Sequence, residues 1–87
     1  MVYKVFIEKK AEKDLMKIPK QYRKKIIQAI LKLKSNFRPA NTRKISQSNN
    51  YYRIRVGDYR IVYEINDNTK VINIFRIRHR KEAYLNL

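Results

Sequence analysis

The sequence has 87 residues, which suits a single domain. By size scaling, such a chain buries roughly 60–65% of its unfolded surface, enough for one sheet packed on one or two helices. It has no cysteine, which excludes disulfides and thiolate metal sites and fits a cytoplasmic protein. The N-terminal residues contain no apolar run long enough for a signal peptide or a membrane span.

Positive charge dominates the composition, with 22 basic and 7 acidic residues and a formal net charge of +15. Nucleic acid, an acidic membrane surface or an acidic protein would suit this charge, and a lysine coat that only aids solubility is the alternative. Eleven of the thirteen lysines precede residue 50, whereas six of the nine arginines follow it. Because guanidinium groups bind phosphate bidentately, this distribution predicts a lysine-coated scaffold with an arginine-rich working surface.

The first half of the chain predicts one strand and two helices. Residues 2–7 alternate as in a strand, and residues 9–18 carry a helical apolar stripe formed by Ala11, Leu15 and Ile18. Pro19 interrupts this helix and suits the start of the next, over residues 20–35. Basic amphipathic helices can also lie on membranes, but here the predicted strands need their apolar stripes as a cover.

The second half predicts a polar connection followed by strands. Residues 36–50 are rich in asparagine and serine, and three β-prone segments follow, at 51–56, 59–65 and 70–77. Residues 80–87 suit a short C-terminal helix. The predicted fold is therefore α+β, with an N-terminal strand, a helical hairpin and a three-stranded antiparallel meander in one domain spanning residues 1–87.

The segment YYRIRVGDYRIVYEI, residues 51–65, predicts a β-hairpin closed by Gly57-Asp58. In that register Arg55 faces Arg60, Arg53 faces Val62, and all three guanidinium groups share one face. The other face would pack beneath the helices through Ile54, Val56, Ile61, Tyr63, Ile65, Ile72 and Ile74. Since like charges directly opposite one another are destabilising, the arrangement indicates a binding surface for anions.

The reactive residue types narrow the chemistry further. One histidine, no cysteine and no paired-acid spacing argue against metal catalysis, so no cofactor is expected, and a single glycine cannot build a phosphate-binding loop. Arginine, lysine, tyrosine and histidine suit RNA cleavage, in which the 2′-hydroxyl of the substrate attacks its own phosphate. Clustered guanidinium groups would stabilise the transition state and would themselves be relieved of repulsion by the bound phosphate.

The segment IFRIRHRKEAY, residues 74–84, supplies acid–base candidates. Histidine serves as an acid or a base in many enzymes, which makes His79 a candidate for either role. The spacing of Arg80 and Tyr84 puts them on one side of a helical turn. Taken singly, a histidine at a strand end is more often structural, and a C-terminal tyrosine usually packs. A functional role for His79 and Tyr84 is favoured only if they lie close to the arginines of the hairpin.

In these segments the chain resembles the RelE/ParE superfamily of toxins, RelE-like members in particular. The resemblance rests on AEKDLMKIP at 11–19, the hairpin at 51–65 and VINIFRIRHRKEAY at 71–84. It implies a compact α+β toxin of a type II toxin–antitoxin system that cuts messenger RNA on the ribosome in the cytoplasm. It also implies a cognate antitoxin, with a heterotetramer of the two chains as one possible assembly.

The resemblance also assigns roles to individual residues. Arg53 and Arg55 match two basic positions that are often lysines in the family, and Arg60 matches a phosphate-binding arginine. Transition-state charge is therefore assigned to Arg60 and Arg53. The base would be Tyr84 or His79 and the acid Arg80 or His79. The cations left for substrate binding are Arg55, Arg76, Arg78 and Lys81.

Two other functions remain open at this point. A ParE-like toxin poisons DNA gyrase without cleaving RNA, although such chains typically lack the C-terminal arginine, histidine and tyrosine set. A non-catalytic RNA-binding module is the third hypothesis, because the chain has seven tyrosines for stacking and abundant positive charge.

Overall fold

The computed structural model describes residues 3–36, 42–44 and 50–79. It has two helices and a five-stranded sheet in the order β1-β5-β4-β3-β2, which confirms the predicted α+β class. In chain order the elements are β1 (Lys4–Ile7), α1 (Lys9–Met16), α2 (Lys20–Lys32), β2 (Thr42–Lys44), β3 (Tyr51–Val56), β4 (Tyr59–Asn66) and β5 (Val71–His79). β1 pairs in parallel with β5 and the other neighbours are antiparallel. The predicted C-terminal helix lies outside the described residues.

The two helices cover one face of the sheet through apolar stripes. α1 buries Ala11 and Leu15, and α2 buries Ile26 and Ile30. Arg23 joins the helices, because its Nη2 donates to the carbonyls of Met16 and Ile18, at 3.2 and 3.1 Å. These carbonyls stand at the C-terminal end of α1, where a cation is favourable to the helix dipole.

The β3–β4 hairpin has the predicted register. Val56 pairs with Tyr59, Arg55 with Arg60, and the turn between them starts at Gly57. This glycine has a φ of 58°, a conformation that costs other residues about 1–2 kcal/mol. The predicted helix-facing residues of β3, β4 and β5 are core residues or pack against the core. The sequence pattern of the hairpin therefore predicted both its register and which of its side chains face the helices.

The β4–β5 pairing contains an irregularity that the sequence pattern did not predict. Val62 pairs with Arg76 but the next residue, Tyr63, pairs with Ile74, so Phe75 is an additional residue in β5. Such a bulge changes the alternation of the bulged strand. Ile74 and Ile77 are consequently both buried, although regular alternation would place them on opposite faces.

The polar connection predicted for residues 36–50 was wrong in one part. Residues 42–44 form β2, an edge strand in which Thr42 pairs with Ile54 and Lys44 with Tyr52. The Thr42 hydroxyl lies 3.2 Å from the hydroxyl of Tyr63, which is fully buried. β2 thus supplies a partner for a polar atom of the core as well as backbone pairing for β3.

Candidate functional site

Arginines from three neighbouring strands lie on the sheet face away from the helices. Arg55 of β3 pairs with Arg60 of β4, which pairs in turn with Arg78 of β5. Arg53 and Arg76 flank the next position along, on either side of Val62. We call the face that carries Arg53, Arg55, Arg60 and Arg78 the arginine face. The bulge is responsible for its width, since regular alternation in β5 would have turned Arg78 toward the helices.

The arginine face concentrates charge on a partly apolar base. Arg55 is exposed, Arg53, Arg60 and Arg78 are half-buried, and Val62 between the rows is fully buried. One guanidinium nitrogen of Arg60, Nη1, is itself buried. Removing a charged group from water increases the strength of its interaction with an anion. The central arginine of the row therefore suits a tightly held phosphate.

Arg76 differs from the other arginines because a carboxylate on α1 holds its side chain. Its Nε donates to Asp14 Oδ2 at 2.8 Å and its Nη2 to Oδ1 at 3.1 Å. The backbone N–H of Ile77 also donates to Oδ2, at 3.0 Å. A bidentate pair of this kind fixes orientation as well as charge. Arg76, predicted to bind substrate, thus anchors α1 to β5 next to the bulge.

The surroundings of Asp14 favour its ionised form. Desolvation is the largest single influence and raises its pKa, but the hydrogen bonds from Arg76 and Ile77 and the charges of Arg76 and Arg78 outweigh it. The net result is a pKa below the ordinary value of 3.8. Asp14 therefore remains charged at neutral pH and partly compensates the positive field near Arg78.

Aromatic residues occupy the end of the same face beyond Val62. The rings of Tyr51 and Phe75 meet edge to face with centroids 5.8 Å apart. Burial raises the pKa of the Tyr51 phenol, and the charges of Glu64 and Glu8 raise it further. Tyr51 is consequently a neutral phenol, suited to stacking or hydrogen bonding and unsuited to act as a base.

His79 lies on the helix-facing side of the sheet. It pairs in register with Tyr59, and the two rings meet edge to face at 5.4 Å between centroids. The Tyr59 ring also contacts the ring of Tyr22, with 6.0 Å between the ring centroids. Beside His79 is a cleft of about 290 Å³ whose lining includes Asp14 and Lys17. The expectation that His79 stands among the arginines is corrected, because β5 alternates regularly after the bulge and Ile77 and His79 share the helix side.

Three predicted site residues, Arg80, Lys81 and Tyr84, lie outside the described residues, so their roles stay predictions. Within residues 3–36, 42–44 and 50–79, no three potential metal ligands from histidine, cysteine and carboxylates cluster together. The helices of this part of the chain are too short and polar to cross a membrane.

Asp14 is the residue that sequence reasoning missed. The signal was present, since Asp14 lies on the side of α1 that buries Ala11 and Leu15, where a carboxylate is expected only with a partner. The partner could not be identified from the sequence, because Arg76 is 62 residues away and the bulge determines its direction.

Comparison with known families shows the family to which this chain belongs. The family model described as the ParE toxin of the type II toxin–antitoxin system parDE matches residues 5–84. The chain therefore belongs to this family of type II toxins, which confirms the resemblance to the RelE/ParE superfamily.

Within the superfamily, RelE toxins from archaea are among the proteins to which this chain is similar. The chain is 39% identical over 85 residues to the toxin RelE3 of Methanocaldococcus jannaschii, covering 93% of this chain and 94% of that one. The archaeal RelE–RelB complex from Pyrococcus horikoshii OT3 is similar with a TM-score of 0.83 and 31% identity, over 95% of this chain and all of that chain. A RelB–RelE antitoxin–toxin complex from Methanococcus jannaschii gives a TM-score of 0.77 and 35% identity, over 94% and 98%.

Proposed function

We propose that this chain is a RelE-type toxin that cleaves messenger RNA on the ribosome. The observation that carries the proposal is the row formed by Arg55, Arg60 and Arg78, which crosses three strands on the face opposite the helices. Like charges placed directly opposite one another across a sheet repel, and an anion bound between them lowers that repulsion. A phosphodiester in the transition state of cleavage, with its additional negative charge, is the anion that such a row would stabilise best.

The proposed reaction uses the nucleophile that RNA provides. The 2′-oxygen attacks the adjacent phosphorus, the bond to the 5′-oxygen of the next nucleotide breaks, and a 2′,3′-cyclic phosphate and a 5′-hydroxyl result. A base removes the proton of the 2′-hydroxyl and an acid protonates the leaving 5′-oxygen. The protein then supplies alignment, charge and proton transfer, which is why a metal-independent mechanism suits these residues.

Arg60 and Arg53 are the proposed sources of transition-state charge, with Arg55 and Arg78 completing the grip on the phosphate. Because His79 faces the helices, we assign the base to Tyr84 and the acid to Arg80. Guanidinium groups beside a tyrosine lower the pKa of its phenol and so favour the phenolate that a base requires, which is the role proposed for Tyr84.

The proposed partners follow from the relatives and from the charge. The P. horikoshii and M. jannaschii relatives were solved as complexes of RelE with RelB. We infer that this chain likewise has a cognate antitoxin, whose acidic residues would complement the formal charge of +15, and that a heterotetramer is one form of the complex. Ribosome and messenger RNA make the cytoplasm the proposed location.

The test is inducible expression of the full chain with mapping of messenger RNA 5′ ends. Wild type should produce cuts in register with codons, and Arg60→Ala should lower the cleavage rate by about 10²–10³-fold, the usual effect of removing one stabilising donor. Lys13→Ala, an exposed cation on α1, is the matched control and should cut as wild type does. Retained antitoxin binding by Arg60→Ala would show that the variant is folded.

A gyrase poison of the ParE kind is the competing function, because the family model that matches the chain carries that name. It predicts intact transcripts together with DNA damage in the same cells. A pure RNA-binding module predicts that Arg60→Ala reduces RNA affinity and that wild type makes no cuts. Either result would overturn the proposed cleavage.

A further inference from the structure

A second basic surface lies on the helix side of the sheet, in a groove of about 270 Å³ between α2 and β3. Its polar lining consists of Lys25, Gln28, Lys32, Asn36 and Arg55, above an apolar floor that includes Val56. We call it the α2–β3 groove. Lys25 and Lys32 are two helical turns apart, so their Cα atoms are about 10 Å apart along the helix axis. The groove therefore offers two cations separated by about 10 Å along α2.

Among the described residues, only basic and uncharged side chains line the α2–β3 groove. Its lining contains no carboxylate, and α2 from Lys20 to Lys32 contains no Asp or Glu at all. Among the described residues, neither Lys25 nor Lys32 forms an ion pair. An exposed helix normally places acidic side chains in its first turn, where they stabilise the dipole. The first turn of α2 carries none, so this helix retains a repulsive charge pattern that an external anion would relieve.

The groove is connected to the arginine face through Arg55. This residue lines the groove and also stands at one end of the row with Arg60 and Arg78. Its Nε donates to the Gly57 carbonyl at 3.2 Å, which holds the side chain at the end of the hairpin. Positive charge is therefore continuous from the arginine face, through Arg55, to Lys25 and Lys32 of the groove.

From these features we infer that the α2–β3 groove is a subsite for the backbone phosphates of RNA flanking the scissile position. The inference rests on the proposed function, since it names further nucleotides of the same substrate. Lys25 and Lys32 would each bind a phosphate, Gln28 and Asn36 would donate to sugar or phosphate oxygens, and the apolar floor would contact ribose. Contacts of this kind bind the RNA backbone without distinguishing its base sequence.

The experiment measures binding of uncleavable RNA of two lengths to the full chain. Oligonucleotides with 2′-O-methyl groups lack the attacking hydroxyl, and lengths of about four and about twelve nucleotides cover the range that single-strand sites occupy. The variant Lys25→Met/Lys32→Met keeps the apolar stems and removes two charges. Lys9→Met/Lys13→Met removes two exposed charges from α1 and is the matched control. Fluorescence anisotropy across a salt series gives affinity and salt dependence for each.

The groove variant should bind the long oligonucleotide about tenfold more weakly at low salt and the short one as wild type does. The slope of log affinity against log salt should fall by about 1.4 for the long probe, from two lost contacts at about 0.7 each. Equal losses on both probes, the same length-dependent loss in the control variant, or no loss in the groove variant would overturn the inference.

Two further outcomes distinguish an RNA subsite from a protein-docking surface and from the cleavage site itself. If the groove variant no longer binds an acidic peptide but binds the long RNA as wild type does, the groove is a protein-docking surface and the inferred RNA subsite is wrong. If Arg60→Ala still cuts messenger RNA, the proposed cleavage site is wrong, whereas a length-dependent loss on uncleavable RNA would still place the outer nucleotides of a bound RNA in the groove.

Discussion

At the scale of single residues, Asp14 shows how one carboxylate stabilises a strongly basic surface. Its two oxygens accept three hydrogen bonds, two from Arg76 and one from the backbone of Ile77. The side chains of Asp14 and Arg76 are only 14% and 24% exposed, so solvent screens the pair incompletely. Loss of the carboxylate would leave a charged donor and a backbone N–H to find other partners, which is more costly than losing a surface ion pair.

We expect Asp14→Ala to destabilise the protein by about 1–3 kcal/mol. The pKa of Asp14 is lowered by folding, so its contribution is fully present above the unfolded pKa and is lost as pH falls through the still lower folded pKa. The difference in melting temperature between wild type and variant should therefore be constant from about pH 5 to 7 and shrink below about pH 4. Thermal unfolding followed by circular dichroism measures it.

Glu12→Ala is the matched control for this prediction, because Glu12 is an exposed carboxylate on the same helix. Glu12→Ala should change the melting temperature much less than Asp14→Ala does. Its difference from wild type should also not shrink in acid as the Asp14→Ala difference does. An Asp14→Ala difference that persists unchanged down to about pH 2, well below the ordinary carboxyl pKa, would mean that the loss comes from packing rather than from the charge.

At the scale of elements, the hairpin and the bulge differ in how far the sequence determines them. The hairpin follows from local signals: a glycine at the turn and strict alternation through Arg53, Arg55 and Arg60. The bulge at Phe75 depends on packing that is not local, since Ile74 and Ile77 must both reach the core under α1 and α2. The directions of Arg76 and Arg78 were therefore unpredictable, and so was the position of His79 behind them.

The edge strand β2 was missed for a related reason. Thr42, Arg43 and Lys44 have no apolar alternation, and asparagines and serines surround them. Pairing with β3 places this strand in the sheet, and pairing between distant segments leaves little trace in a polar sequence. The α+β class, by contrast, depends on long periodic segments, and these were predicted correctly.

The hairpin itself gives an element-scale prediction. Gly57→Ala should destabilise the protein by about 1–2 kcal/mol, because alanine resists the positive φ of 58° at this position. A methyl group here would meet no atom within 4 Å, so the cost is conformational and not steric crowding by neighbours. Asp58→Ala, at the second turn position, should lower the free energy of unfolding by less than Gly57→Ala does. Urea unfolding of both variants measures the difference. Equal costs for the two variants would show that positive φ is not what limits the turn.

At the scale of the whole molecule, the charge opposes folding. The formal net charge of +15 is carried by a body with extents of 34 × 26 × 25 Å. At low ionic strength the Debye length is about 30 Å, so most cations in the molecule repel one another, whereas at physiological salt only near neighbours do. The folded chain brings these charges closer than the unfolded chain does, so repulsion is larger in the folded state.

Salt should consequently stabilise this protein. Raising sodium chloride from about 0.01 M to about 0.15 M should raise the melting temperature by roughly 4–8 °C, the shift that corresponds to about 1 kcal/mol in a domain of this size. Lys9→Met/Lys13→Met, with two charges fewer, should melt higher than wild type at the low salt concentration and differ less at the high one. A melting temperature that falls with salt would mean that attractive pairs such as Arg76–Asp14 outweigh the repulsion.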